Sequence, residues 1–271
     1  MPKYFPGWQV RVYHDHTVPH AEFKNLSLIP HVTLVNVTQE LPPCYAKDVN
    51  PMAWRFLVAA DPTVDAYIIR DSDSRPSGRE KAAVDEWLRS GTAFHLMRDH
   101  ASHDPTAFAA ILGGLWGGLH RAVPDMRTLI EKHYCEPSTT NKPKVEYSED
   151  QNFLWKYVLP RAQNDCLQHD SHHCVVSGGI AFPLSSEEAG DRIDDFVGSV
   201  ENPFHPPPDY MRRDANKNTP RYLNCLKRRK EFLAERKAKN LSTTVLPCTP
   251  YIGNMVHPLD RKKTENKKEQ T

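Results

Sequence analysis

Polar and apolar residues alternate over Trp8-Gln9-Val10-Arg11-Val12-Tyr13-His14, the period-two pattern of a strand. A second strand is expected at His31-Val32-Thr33-Leu34-Val35-Asn36-Val37, which is rich in β-branched residues. Between them, Pro19 to Leu28 reads as a short helix. Asn50-Pro51 then sets an N-cap before a proline at the first helical position. Trp54, Leu57 and Val58 follow at i, i+3 and i+4, so an amphipathic helix through Ala60 is expected, ended by Asp61-Pro62. Ala66-Tyr67-Ile68-Ile69-Arg70 is a short apolar run closed by polar turn formers, the look of a buried parallel strand.

Ser77-Gly78-Arg79-Glu80 matches a capping box. The helix it starts carries Ala83, Val84, Trp87 and Leu88 on one face and stops at Gly91. Thr92 to Met97 is another strand, ending in Arg98-Asp99-His100. Strands alternating with helices predict an α/β fold with a mainly parallel sheet and right-handed crossovers. Ile111 to Gly118 then sets four glycines around Trp116. Either this backbone approaches a ligand closely or takes positive φ, or it is a glycine-bearing strand with bulges. Its spacing is not that of a P-loop or a dinucleotide fingerprint. Pro124 to His133 is a short helix with Met126, Leu129 and Ile130 inward. Ser148-Glu149-Asp150-Gln151 is a second capping box, before a helix buried through Phe153, Leu154, Tyr157 and Val158 and limited by Pro160. Val175 to Phe182 reads as a strand around Gly178-Gly179.

The later chain changes character. Residues 1–200 carry the alternating pattern, and 201–220 form a proline-rich connection with Pro203, Pro206, Pro207 and Pro208. Residues 221–240 read as a basic helix in which Leu223, Leu226, Phe232 and Leu233 make a narrow apolar stripe. Residues 241–271 are expected to be extended or disordered, being almost all polar or charged from Arg261 onward.

At 271 residues, 39% hydrophobic and 25% charged, the chain holds one large domain or two small ones with a real core. A mean hydropathy of -0.64 and a net charge of +1 give no global push toward nucleic acid or membrane. No apolar run reaches the eighteen or so residues of a spanning helix, and the start lacks an apolar signal-peptide region. The six cysteines are scattered with no C-x-x-C pair, so reduced thiols are expected. Sequons at Asn25, Asn36 and Asn240 matter only in a secreted chain. A cytoplasmic location is the default, with the face of a membrane as a variant.

Candidate chemistry gathers after the Ala66–Arg70 strand. In open α/β sheets, ligands bind beyond the carboxyl ends of strands. Asp71 and Asp73, at i and i+2, can point one way off an extended end and share a hard cation. Asp150 in a first helical turn is either an acid that helps the helix or a functional carboxylate. Cys166 to Cys174 holds the densest set of soft ligands, but its spacing is not that of a structural zinc site. A single histidine joining the Asp71/Asp73 cation is the better expectation there, and His169 is the choice.

Taken together, several segments resemble a GT-A type nucleotide-sugar glycosyltransferase, in a group that includes bacterial surface-polysaccharide enzymes. They are Phe5-Pro6-Gly7-Trp8, Trp54-Arg55-Phe56-Leu57, Arg70-Asp71-Ser72-Asp73-Ser74-Arg75, Arg79-Glu80, Val84-Asp85-Glu86-Trp87 and His95-Leu96-Met97-Arg98-Asp99-His100. Further on they are Leu112-Gly113-Gly114-Leu115-Trp116-Gly117, Asp150-Gln151-Asn152-Phe153-Leu154, His169-Asp170 and Phe196-Val197-Gly198.

The resemblance implies a Rossmann-like three-layer sandwich. It also implies transfer of a sugar from a nucleoside-diphosphate donor to a glycan, lipid-linked or protein acceptor. Asp71, Asp73 and His169 are then the ligands of Mn²⁺ or Mg²⁺. Arg70, Arg75, Arg79, Gly113, Gly114, Trp116 and Gln151 are the donor-binding residues, and Asp150 is an acceptor contact or base. Enzymes of this type begin with a strand that holds the nucleotide base, and little precedes the Trp8 strand here. An N-terminal piece is therefore expected to be missing, or the base site is built otherwise. Two other readings stay open: a weak or inactive binding or scaffold protein acting through the basic helix, and a metal-dependent phosphohydrolase using the same carboxylates. No sequence-specific nucleic-acid binding is expected.

Overall fold

Two parallel strands open the computed structural model: β1, Val10–His14, and β2, Val32–Asn36, in register from Val10 opposite Val32 to His14 opposite Asn36. The helix His20–Ser27 lies between them in sequence, so residues 10–36 form a βαβ unit. Asn36 ends β2 and caps the next turn, its side-chain oxygen accepting from the N–H groups of Thr38 and Gln39. The structure describes residues 2–106, 110–136, 148–192, 196–200 and 219–239.

A second sheet carries β3 (Ala66–Ile69), β4 (Phe94–Arg98), β5 (Trp116–Leu119) and β6 (Cys166–Asp170) in the order β3-β5-β4-β6. β4 and β6 are parallel, whereas β5 is antiparallel to both β3 and β4. The α/β class stands, but the mainly parallel sheet does not: this sheet is short and mixed. The reversed strand is the glycine-rich segment. Gly117 lies against the backbone of β3, where a Cβ would come 2.6 Å from the Tyr67 carbonyl oxygen. The strand reading holds at Trp116–Leu119, and the glycines before it, none at positive φ, are approached by side chains of this chain.

Helix boundaries follow local chemistry where the chain supplies it. Ser77 Oγ accepts the Glu80 N–H at 3.0 Å to start Gly78–Ser90, and Gly91 ends it at φ +68. The reciprocal half of the capping box is absent because the Glu80 carboxylate binds Arg70 instead. Ala83, Val84 and Trp87 are buried, but Leu88 is 37% exposed. The expected 51–60 helix is α over Pro51–Trp54 and tightens to 3-10 over Arg55–Ala60. Ser148 caps nothing with its side chain and sits at φ +73, so the second capping box does not form. The helix from Glu149 continues through a π segment, Leu154–Val158, and past Pro160 to Ala162. Val175 to Phe182 is not a strand: Cys174–Ser177 is helical, and only Ile180 bridges to His169.

The cysteines correct another expectation. Cys44 is bonded to Cys135 and Cys174 to Cys225, with Cα atoms 5.5 and 5.6 Å apart, and Cys166 is disulfide-bonded as well. No cysteine among the described residues is free. Partners 91 and 51 residues apart leave no local spacing to read.

The basic helix forms as Pro220–Ala238, and it is docked on the body. Tyr222 and Cys225 are buried, Arg228 Nε donates to the Gly179 carbonyl at 3.2 Å, and Arg229 Nη2 contacts both oxygens of Glu86 at 2.9 and 3.0 Å. The connection at 201–218 and the tail from 240 onward lie outside the described residues. Among the described residues, no helix is long and apolar enough to cross a membrane.

Candidate active site

β3 delivers Asp71 to the sheet's carboxyl edge. The Ser74 N–H and Oγ both donate to the Asp71 carbonyl, at 3.1 and 3.0 Å, which closes a turn carrying Asp71, Ser72 and Asp73 outward. That turn is anchored from its far side, where the Arg75 N–H donates to the Ser199 carbonyl at 3.1 Å and Ser74 bridges Val200.

A second carboxylate and a guanidinium meet it. Arg55, at the start of the 3-10 segment, donates through Nη1 to Asp71 Oδ1 and through Nη2 to Asp150 Oδ2, the latter at 3.1 Å. One arginine therefore joins carboxylates from two separate segments. The floor beneath them has no side chains because none fits. A Cβ on Gly113 would lie 2.5 Å from Asp150 Oδ2 and 2.8 Å from Arg55 Nη2, and one on Gly114 would collide with the Asp71 carboxylate. Around this group opens a cleft of about 170 Å³, lined also by Met52, His103, Leu112, Leu115, Ser148, Gln151 and Gly198. Ser148, a left-handed non-glycine residue at the cleft, is the kind of local strain that recurs at functional positions.

The two carboxylates are not equivalent. Asp71 keeps 52% of its side chain exposed. Asp150 is 3% exposed, and burial, with repulsion from Asp71 added, pushes its pKa up against the pull of Arg55. Such a carboxylate accepts a proton more readily than one in open water. His103 is held down to about 3 by burial, with His100 adding to it, so its imidazole is neutral across the physiological range.

Of the residues expected at the site, Asp71, Gly113, Gly114, Asp150 and Gln151 line this one cleft. Asp73 is exposed on the turn beside it. The others go elsewhere. Arg70 binds Glu80 through Nε and reaches the Gly114 carbonyl at 3.5 Å, so it braces the glycine floor rather than facing a ligand. Arg79 is 3% exposed and grips Asp99 with two bonds of 2.8 Å while lying 4.5 Å over the Phe182 ring. Arg75 is half-buried and does not line the cleft. Trp116 is a core residue, edge-on to Tyr67 and Phe56 at 5.5 and 5.8 Å.

His169 is also corrected. It is fully buried in β6, with both ring nitrogens engaged, one by Glu86 at 3.0 Å and the other by His95 at 2.8 Å. Three strand spacings put it roughly 14 Å from β3. It has no part in an Asp71/Asp73 site. Conversely, Arg55 joins the site without having been assigned a role. Its signal was present, since it is the one charged residue in the apolar run Trp54 to Ala60.

Asp71 and Asp73 could hold a hard divalent cation. Asp71 and Asp73 offer hard oxygens on a single exposed turn, the arrangement suited to Mg²⁺ or Mn²⁺ that completes its shell with water and substrate phosphates. Among the described residues, no three His, Cys, Asp or Glu side chains converge on a point, so there is no all-protein cage. Fold and cleft thus define an α/β protein with acidic residues gathered over a glycine floor at the end of a strand. No family model, curated protein or solved structure matches the chain.

Proposed function

We propose that the protein is a metal-dependent glycosyltransferase of GT-A type, moving a sugar from a nucleoside-diphosphate donor to an acceptor hydroxyl. The observation that carries this reading is the cleft in which Arg55 spans Asp71 and Asp150 above Gly113 and Gly114. Asp71 and Asp73 would hold Mn²⁺ or Mg²⁺, which when bound neutralises charge on the departing diphosphate. The glycine floor lets Asp71, Asp150 and Arg55 sit close over the backbone, where they would face the donor. Asp150, buried and with a raised pKa, takes the proton of the acceptor hydroxyl as its oxygen bonds to the anomeric carbon. Gln151 and the neutral His103 offer hydrogen bonds to the sugar and acceptor.

The test is nucleoside-diphosphate release from a panel of nucleotide sugars with Mn²⁺ present. Release is expected from at least one donor, and the Asp71→Asn, Asp73→Asn double variant should lose it while melting at the wild-type temperature. Full activity in that variant would overturn the assignment. Phosphate release from simple phosphoesters, with no turnover of any sugar donor, would favour a phosphohydrolase instead.

The disulfides favour an oxidising compartment over the cytoplasm for this protein, because cytosolic thiols are kept reduced. Alkylation of the denatured, unreduced protein should then leave Cys44, Cys135, Cys174 and Cys225 unmodified. Quantitative labelling of protein from its natural source would restore the cytoplasmic expectation.

A further inference from the structure

Arg55 puts positive charge on the carboxylate that the proposed function assigns to a divalent cation. Its guanidinium has one nitrogen on Asp71 and another on Asp150, and its Nε is buried with no hydrogen-bond partner among the described residues. The side chain is 21% exposed, so it is reachable from the cleft yet partly shielded from water. The Gly113 backbone, whose Cβ would lie 2.8 Å from Nη2, leaves the guanidinium room only because that residue has no side chain.

We infer that Arg55 is an internal counter-cation, which holds Asp71 and Asp150 together in the donor-free cleft and yields Asp71 when a divalent cation binds there. This rests on the reading of Asp71 and Asp73 as a cation site. Two like charges cannot share Asp71 cheaply, because a dication there would face a guanidinium in a partly desolvated cleft. The conflict ends if a diphosphate enters with the cation. Its oxygens accept from the guanidinium, which keeps Asp150 with one nitrogen and turns the other toward phosphate. Arg55 is in this view a positioning residue. It makes cation binding weak alone and strong with the donor, so that the cleft is assembled only when the nucleotide part of the substrate is present.

Manganese alone provides the decisive measurement, read from the electron spin resonance signal of free Mn²⁺. Wild type, Arg55→Gln, Arg55→Lys and Asp71→Asn proteins are titrated with Mn²⁺, then again with UDP or GDP present, and binding in the second series is the signal lost beyond that in protein-free mixtures of Mn²⁺ and nucleotide. Arg55→Gln is expected to bind Mn²⁺ alone at least tenfold more tightly than wild type. It should also lose most of the gain that the nucleoside diphosphate confers on wild type. Arg55→Lys, whose single ammonium cannot span both carboxylates, should fall between, and it stands in if Arg55→Gln does not fold. Asp71→Asn should bind weakly throughout. If Arg55→Gln, or Arg55→Lys in its stead, binds Mn²⁺ no better than wild type while wild type binds it with UDP or GDP, the counter-cation role is wrong and the cation site survives. If no protein binds Mn²⁺ with or without nucleotide, both the site and the role fall.

Discussion

Charged side chains gather at both edges of the four-stranded sheet, and the two gatherings behave oppositely. At the β6 edge, Arg98 and Asp170 are 1% and 0% exposed and paired at 2.9 Å. Asp170 accepts in addition from the N–H groups of His172 and His173, at 3.0 and 2.6 Å. Arg79 and Asp99 form a second buried pair, with the Val197 N–H on Asp99 at 2.9 Å. A third chain runs from Arg229 through Glu86 and His169 to His95. Glu86 accepts from His169 Nε2, which leaves His169 Nδ1 to accept from His95 Nε2. Burial lowers the pKa of both histidines, and this neutral arrangement is what such lowering favours.

At the β3 edge part of the cluster stays accessible, although Asp150 is 3% exposed. Asp71 is half exposed, Asp73 lies on an open turn, and two glycines clear the floor. Motif and charge alone do not separate a strut from a site. Access does, together with atoms that still have room for a ligand.

The contrast is sharpest in stability. Asp170→Ala strands the Arg98 guanidinium in the core and is expected to cost about 3–5 kcal/mol by urea denaturation. A cost below about 1 kcal/mol would show that the β6 edge is no strut. Asp71→Asn should reverse the pattern. Stability should move by less than about 1 kcal/mol, because the pair is partly exposed. Nucleotide release should fall by on the order of 100-fold or more.

Two glycines make a smaller test of the same idea. Gly114→Ala drives a methyl into the Asp71 carboxylate and should depress activity, with a stability cost of about 1–3 kcal/mol. Gly91→Ala meets no atom within 4 Å but forces alanine into φ +68, so it should cost about 1 kcal/mol and leave activity alone. Equal activity losses in the two would erase the distinction.

Acid should probe the buried edge next. Burial alone would raise the pKa of Glu86, but His169 and Arg229 overcome it and hold the carboxyl down to about 2. The folded value lies below the ordinary 4.5, so this stabilisation is complete above about pH 4.5 and is lost as pH falls toward 2. Glu86→Gln should flatten the stability profile in that window, as followed by thermal melts. The smallest effect is expected at the surface pair Arg161–Asp125, where Arg161→Ala should cost no more than about 1 kcal/mol.

Much of this was legible in the chain, and the legible part was local. The periodicity at Trp8–His14 and His31–Val37 marked β1 and β2 because a strand needs only its own alternation. Ser77 and Gly91 bounded their helix because caps act within one turn. Asp71, Asp150 and the glycine pair each stood out by residue type, and only the family resemblance grouped them in one site.

Their meeting was not legible, nor was the fate of their neighbours. β5 runs backwards between β3 and β4, and no spacing within Trp116–Leu119 records which strands flank it. His169 was a plausible cation ligand until its place in β6 gave both nitrogens other partners. Six scattered cysteines looked reduced because disulfide partners are neighbours in space and not in sequence. The sequence by itself determined the elements and the inventory of chemical groups, since both rest on contacts within a few residues. Only the tertiary structure decided which carboxylates stay open to a ligand and which are saturated, because saturation depends on side chains delivered from distant segments. Arg55 shows the rule most plainly: one charge in an apolar run became the link between Asp71 and Asp150.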